Sequence, residues 1–303
     1  MFSDFIKSRY KDIFGSKAKL ILKEFSKEPK KCIRINTLKI NPKECLRRLK
    51  LKGFFFSRVP WSRYSYFIEK EPKAVSATVE HLMGYFFIQD ASSLLPVIEL
   101  APKRTDVVLD MTAAPGGKTT HIAQIMKNEG TIVALEINKN RMDSLLSNLE
   151  RMGVENTIVL RASALKVKQL GLKFDKILLD APCTADGTMG KNPRLRISLT
   201  NEDYLKYSRK QKELITAANA VLKDKGVLVY STCSLAPEEN EEVVEYAVNT
   251  LGMKIKELKT KRYLSPGMTR FFNEKHSSFL KKCGRVLPYQ YHTQGFFLAK
   301  LIK

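Results

Sequence analysis

Between residues 105 and 250 the apolar positions switch regularly between two periods. "DVVLDMT", "TIVALE" and "NTIVLRAS" are short, nearly continuous apolar runs, the pattern of strands covered on both faces. Between them, "GGKTTHIAQIMKN" and "NKNRMDSLLSNLERMG" repeat apolar residues at helical spacing, and the second stops on Gly153. "FDKILLDAPC" and "GVLVYSTC" add two buried strands, separated by a long helix over "NEDYLKYSRKQKELITAANAVLK". "PEENEEVVEYAVNTLG" is a helix with Pro237 in its first turn and acidic residues at its positive end. "MKIKELK" and "QGFFLAKLI" complete the set as edge strands. Strand–helix alternation of this kind predicts a Rossmann-like α/β domain. Its open, mostly parallel seven-stranded sheet would bind ligands beyond the strand C-termini.

The first 85 residues follow another rhythm. Residues 10–26 read as a helix, "KKCIRINTLKI" as a strand, and "PKECLRRLKLKG" as a helix stopped at Gly53. "FFFSRVPWSRYSYFIE" reads as strand, turn and strand. The expected organisation is therefore a small α+β domain over residues 1–85 and an α/β domain over residues 86–303. Most of the aromatics at 54–66 are core at this density, with Trp61 and Tyr64 as candidates for stacking on bases.

Charge then changes the picture. The net formal charge is +22, and it is unevenly placed. Residues 1–70 hold 19 Lys/Arg against 6 Asp/Glu, and residues 251–303 hold 12 against 2, whereas the middle is nearly neutral. Basic flanks without matching carboxylates suit a polyanion held by counterion release, so structured RNA is the expected partner. Arg34, Lys39, Arg47 and Arg48 are the candidate phosphate contacts. The five cysteines are odd in number and form no CxxC pair, and the four histidines are scattered; neither a disulfide framework nor a metal site is expected. No apolar run approaches the roughly 20 residues of a membrane span. A soluble, monomeric protein of the reducing cytoplasm is the expectation.

"LDMTAAPGGKTTH" is a strand, a Gly-rich turn and a helix. A P-loop would need glycine where Thr112 stands, and a dinucleotide fingerprint needs G-x-G-x-x-G, whereas this turn has only the adjacent Gly116 and Gly117. Glu136 closes the next strand, where an acid can accept both ribose hydroxyls. Turn plus acid suggests a nucleoside ligand without polyphosphate, such as S-adenosylmethionine.

Two of the cysteines, Cys183 and Cys233, end apolar strands at the rim where such folds do chemistry. Cys183 has Asp180 three residues before it. Cys233 precedes a helix N-terminus, a position that favours a thiolate. Four glutamates at 238, 239, 241 and 242 oppose that effect, so a cation is needed, with Lys118 as its candidate source. A methyl donor, a thiolate and a carboxylate together fit C5 methylation of a pyrimidine, in which thiolate addition at C6 makes C5 nucleophilic. This chemistry does not choose between the two thiols.

"DMTAAPGGKTTHIAQIM", "LLDAPCTADGT" and "YSTCSLAPEENEEVV" resemble the motifs of the Sun (Fmu/Nop) family of RNA cytosine-C5 methyltransferases, and the likeness is greatest to compact archaeal tRNA enzymes. It extends from "CIRINTLKI" to "RVLPYQYHTQGFFLAKL". The resemblance implies that Ala113, Ala114, Pro115, Gly116, Gly117, Lys118 and Thr119 surround S-adenosylmethionine, with Glu136, Arg141, Ser163 and Asp180 completing the cofactor set. It also implies that Cys233 is the nucleophile, that Cys183 helps resolve the covalent adduct, and that Asp180 meets the cytosine. The substrate expected is tRNA first and rRNA second. A non-catalytic RNA-binding or assembly protein, a DNA methylase and a dehydrogenase are the rival readings. The sequence departs from the family pattern at Thr112, at Ser163 and at Ala185-Asp186.

Overall fold

The helix expected over residues 10–26 is two helices. α1 (Asp4–Phe14) and α2 (Ala18–Glu24) are broken at Gly15, whose φ of +54° suits glycine and ends the first helix. In this computed structural model, which describes all 303 residues, residues 1–29 form one compact unit with residues 179–303. Residues 30–178 form a second.

The 30–178 unit opens with β1 (Cys32–Ile35), α3 (Pro42–Leu51), β2 (Phe55–Arg58) and β3 (Ser65–Lys70). α4 (Val79–Leu82) and β4 (Phe86–Gln89) follow. The four strands form an antiparallel sheet ordered β2-β3-β1-β4. β4 was not among the expected strands. α3 starts as its sequence dictates: Asn41 caps Lys43 N, Pro42 fills the first turn, and Cys45 and Leu49 pack on Ile33, Ile35, Phe54 and Phe86. Gly84 allows the α4–β4 turn to approach the end of a later helix, since a Cβ there would lie 1.8 Å from the Arg151 carbonyl oxygen.

After α5 (Leu95–Leu100) the expected alternation appears. β5 (Val107–Asp110), α6 (Gly117–Met126), β6 (Thr131–Glu136), α7 (Lys139–Met152), β7 (Thr157–Arg161) and β8 (Phe174–Asp180) follow in turn. The strands pair in parallel in the order β8-β5-β6-β7, with Val108 opposite Ile132 and Lys176, and Val133 opposite Ile158. α7 ends on Gly153 at φ +68°, as its sequence predicts. β8 carries the chain across the unit boundary to Asp180.

In the other unit, α8 (Leu195–Ser198) leads to α9 (Asn201–Val221), which a Thr200–Asp203 capping box starts. α9 turns Tyr204, Ser208, Gln211, Ile215 and Ala218 inward. β9 (Leu222–Thr232), α10 (Glu241–Asn249), β10 (Lys254–Lys256), β11 (Ser265–Pro266), β12 (Arg270–Phe271), β13 (Glu274–Lys275), β14 (Gly284–Val286), α11 (Pro288–Tyr291) and β15 (Phe296–Ile302) complete the chain. β10 lies at an edge, as expected. β15 does not: it pairs antiparallel with β9, β14 and β10, which places "FFLAKLI" inside a sheet. Ile6, Tyr10, Ile21 and Phe25 of the N-terminal helices pack with Met189, Tyr204, Leu235 and Ala236. No helix is long and apolar enough to cross a membrane.

Candidate active site

In the 1–29/179–303 unit, β8 and β9 end side by side, with Ala181 N bonded to Ser231 O. The two cysteines therefore emerge from neighbouring strand ends. Their sulfurs lie 3.3 Å apart, both cysteines are free, and both are partly exposed. The neighbouring Cys233 sulfur and burial push the Cys183 thiol well above its usual range, so Cys183 holds its proton. Asp180, at the last position of β8, accepts a 2.7 Å bond from Ser231 Oγ. Asp180, Cys183 and Cys233 thus occupy one rim.

The four glutamates beyond Cys233 do not act as one block of negative charge. Glu238 pairs with Arg9 at 2.6 Å, both buried, and the Arg9 guanidinium lies 3.8 Å over the Tyr204 ring. Glu241 is held by both Nε and Nη2 of the buried Arg285. Glu242 lies 3.8 Å from Lys212. Only Glu239 lacks a cation, and it is gripped by neutral donors instead. The segment expected as one helix from Pro237 is a 3-10 turn over Pro237–Glu239 followed by α10. Asp186, which stands in the loop after Cys183, is also structural here. It is buried and accepts from Leu235 N at 2.6 Å and from Tyr10 OH at 3.0 Å. The sequence does not announce the structural roles of Arg9, Asp186, Gln211 and Glu239, because most of their partners are remote in sequence.

Apart from Asp180, which ends β8 in the other unit, the residues expected to hold a cofactor lie in the 30–178 unit, around the C-terminal ends of β5, β6 and β7. Ala113 and Ala114 are buried against Leu145 and Leu149 of α7, and Gly116, at φ +103°, precedes α6. Thr119 Oγ1 donates to Asp110 Oδ2 at 2.7 Å, fixing the first turn of α6 to the end of β5. Lys118, half-buried, is on the same turn. Arg141 joins the two halves of this rim: it donates to Ala114 O at 2.7 Å and lies 3.6 Å from Glu136 Oε2. Glu136 also accepts from Asn138 N. Ser163 precedes a 3-10 turn after β7. A turn rich in backbone groups beside an acidic strand end fits an adenosine sulfonium, whereas a polyphosphate would meet the Glu136 carboxylate.

The four expected phosphate contacts separate. Arg47 and Arg48 are exposed on α3 and share Glu44, and Lys39 is exposed and donates to Arg151 O. Arg34 is 1% exposed and spends its guanidinium on Gln89, Gln124 and Thr120. It is an internal strut tying β1 to α6, and phosphate contact is not open to it. Trp61 is likewise internal, 7% exposed with its indole N–H on Ala91 O.

Together these features define a Rossmann-like class I methyltransferase fold preceded by an N-terminal α+β region. The chain belongs to the family described as 16S rRNA methyltransferase RsmB/F, whose model matches residues 97–302; the model for the N-terminal domain of 16S rRNA methyltransferase RsmF matches residues 2–91. It is 35% identical over its whole length to the human 28S rRNA (cytosine(4447)-C(5))-methyltransferase. It covers 38% of that protein and 39% of the mouse relative, so it spans about four-tenths of their length. It is 37% identical to the tRNA (cytosine(49)-C(5))-methyltransferase of Pyrococcus abyssi, with 89% of this chain and 87% of that protein aligned. The solved structure of NSun6 from Pyrococcus horikoshii with SFG is 30% identical, with a TM-score of 0.88, and covers 100% of this chain and 98% of that one.

Proposed function

We propose that this protein is an S-adenosylmethionine-dependent RNA cytosine-C5 methyltransferase that forms 5-methylcytidine. The observation that carries the reading is the pair of thiols 3.3 Å apart, of which Cys183 keeps its proton. Two free thiols at neighbouring strand ends suit two duties: one attacks, the other assists release. The related structure with SFG, an S-adenosylmethionine analogue, and the cytosine-C5 names of the relatives support the same reading.

Bound S-adenosylmethionine supplies an electrophilic methyl group on a sulfonium. Ala113 to Thr119, Glu136, Arg141 and Ser163 would hold it, Glu136 through the ribose hydroxyls. Cys233 adds to C6 of the cytosine while Asp180 protonates or hydrogen-bonds N3, which makes C5 an enamine carbon able to accept the methyl. A base takes the C5 proton, whose electron pair closes the C5=C6 bond as the C6–S bond breaks and Cys233 leaves as a thiolate, with Cys183 assisting this release. Residues 1–85, with Lys39, Arg47 and Arg48, are proposed as the RNA-binding domain of a cytoplasmic, monomeric enzyme. Reaching C5 in folded RNA requires a looped or extruded base.

tRNA is the first substrate class. rRNA is the second reading, favoured by the family description and the human relative. The test supplies labelled S-adenosylmethionine with tRNA and rRNA from cells lacking 5-methylcytidine and maps the product. Label at cytosine C5, lost in Cys233→Ala, supports the reading; no methylation of either RNA overturns it.

A further inference from the structure

The clearest organisation that the proposed chemistry does not use lies behind the two cysteines, in the dipeptide Glu239-Asn240. Both residues are fully buried. Glu239 Oε1 accepts from Thr184 N at 2.8 Å and from Gln211 Nε2 at 3.1 Å. Its Oε2 accepts from Thr184 Oγ1 and from Ser234 Oγ, each at 2.5 Å. Gln211 Nε2 also donates to Pro182 O at 2.9 Å. The residues on either side of Cys183 are thus held by Glu239 and its partner Gln211. Asn240 does the same for Cys233: its Oδ1 accepts from Thr232 Oγ1, and its Nδ2 donates to Ser234 O at 2.9 Å. Every residue flanking either thiol ends on Glu239, Asn240 or Gln211.

We propose that Glu239 and Asn240 are positioning residues that fix the spacing and alignment of the Cys183 and Cys233 thiols, an inference that rests on the cytosine-C5 reading for its catalytic consequence. Neither residue touches the reacting atoms. Their effect is geometric: two loops from separate strands are registered through one dipeptide, and Glu239 receives four hydrogen bonds that cannot all be kept once the carboxylate is replaced by an amide. Burial with no cation in contact raises the Glu239 carboxyl to about 7, whereas the Thr184 and Ser234 donors favour its ionised form. Only the ionised carboxylate accepts at all four positions.

The test uses the full chain with Glu239→Gln, Asn240→Ala and Glu239→Asp, and two readouts. Dibromobimane, which bridges thiols only when they are close, reports the Cys183–Cys233 spacing without RNA or cofactor. Steady-state methylation of RNA reports kcat and KM separately. Glu239→Gln and Asn240→Ala are expected to slow bridging and to lower kcat about tenfold or more, because small misplacements are costly, with KM unchanged within about twofold. Glu239→Asp, which keeps both acceptor oxygens, should recover part of both losses. Wild-type bridging in Glu239→Gln and Asn240→Ala overturns the proposal, as does a kcat loss with bridging unchanged. If wild-type protein methylates no RNA, the cytosine-C5 reading falls, while the bridging rates still decide the spacing role. Should Glu239→Gln fail to fold, Thr184→Val removes one donor to the same carboxylate and carries the same two expectations.

Discussion

Arg9 and Glu238, 229 residues apart in sequence, meet in a buried ion pair in which one guanidinium nitrogen reaches both carboxylate oxygens. The pair fixes α1 against the segment that follows Cys233. It also removes one of the negative charges that would otherwise oppose a thiolate there.

Arg9→Ala should therefore cost about 3–5 kcal/mol of stability, since it strands a buried carboxylate. Urea unfolding measures this. The double variant Arg9→Met/Glu238→Leu should recover much of the loss, because apolar partners of similar volume remove the unpaired charge rather than expose it.

The two thiols make separable predictions. Cys233→Ala should abolish methyl transfer and form no covalent complex. Cys183→Ala should accumulate an adduct with RNA that survives denaturing electrophoresis. An adduct in Cys233→Ala and none in Cys183→Ala would reverse the two roles.

Glu239 predicts a pH effect on stability with a definite sign. Its carboxyl is raised from 4.5 to about 7 in the folded protein, so folding binds its proton more tightly. The contribution is fully present below the ordinary carboxylate range and is lost as pH rises through about 7. Asp186, also raised by burial, and the raised Cys183, Tyr204, Tyr207 and Tyr230 face the same region, where Arg9, held by Glu238, is the cation that acts on Asp186 and Tyr204. Glu239→Gln should compare more favourably with wild type at pH 8.5 than at pH 5.5, by on the order of 1–3 kcal/mol. Melting temperatures of both proteins across that interval measure it; a constant difference would contradict the assignment.

On α3, Arg47→Ala/Arg48→Ala should weaken RNA binding and reduce its salt dependence, with little change in melting temperature, because the two arginines are exposed, pair with the surface Glu44, and add only the Arg48 contact 5.7 Å over the Tyr85 ring. Arg34→Ala should do the opposite: it should lower the melting temperature by leaving the buried Gln124 and Thr120 acceptors unpaired. Filter binding at two salt concentrations, paired with thermal unfolding, distinguishes the two.

The parallel strands and the cysteines at their ends were legible because period and punctuation are local properties. Gly153 stopped α7 where its sequence says, and Asn41-Pro42 started α3. The interior place of β15 is not legible for an equally physical reason: a short apolar run looks the same at an edge and in the middle, and only its pairing with β9, β14 and β10 decides. The same limit hid the roles of the acidic residues. "PEENEE" looks solvated in isolation, and nothing nearby announces that Glu238 is answered by Arg9 or Glu241 by Arg285. Arg34 looked like a phosphate ligand because a buried arginine is rare and its neutral acceptors lie on another element.

The joining of residues 1–29 to residues 179–303 has a consequence for biosynthesis. A ribosome delivers Ile6, Arg9 and Tyr10 before the Tyr204 ring and the Glu238 carboxylate that receive them, which are made only after the intervening 30–178 unit. The nascent chain must carry an apolar stripe and an unmatched cation until residues 204–238 have been made, which exposes α1 to mispairing and makes its docking follow synthesis of the 30–178 unit.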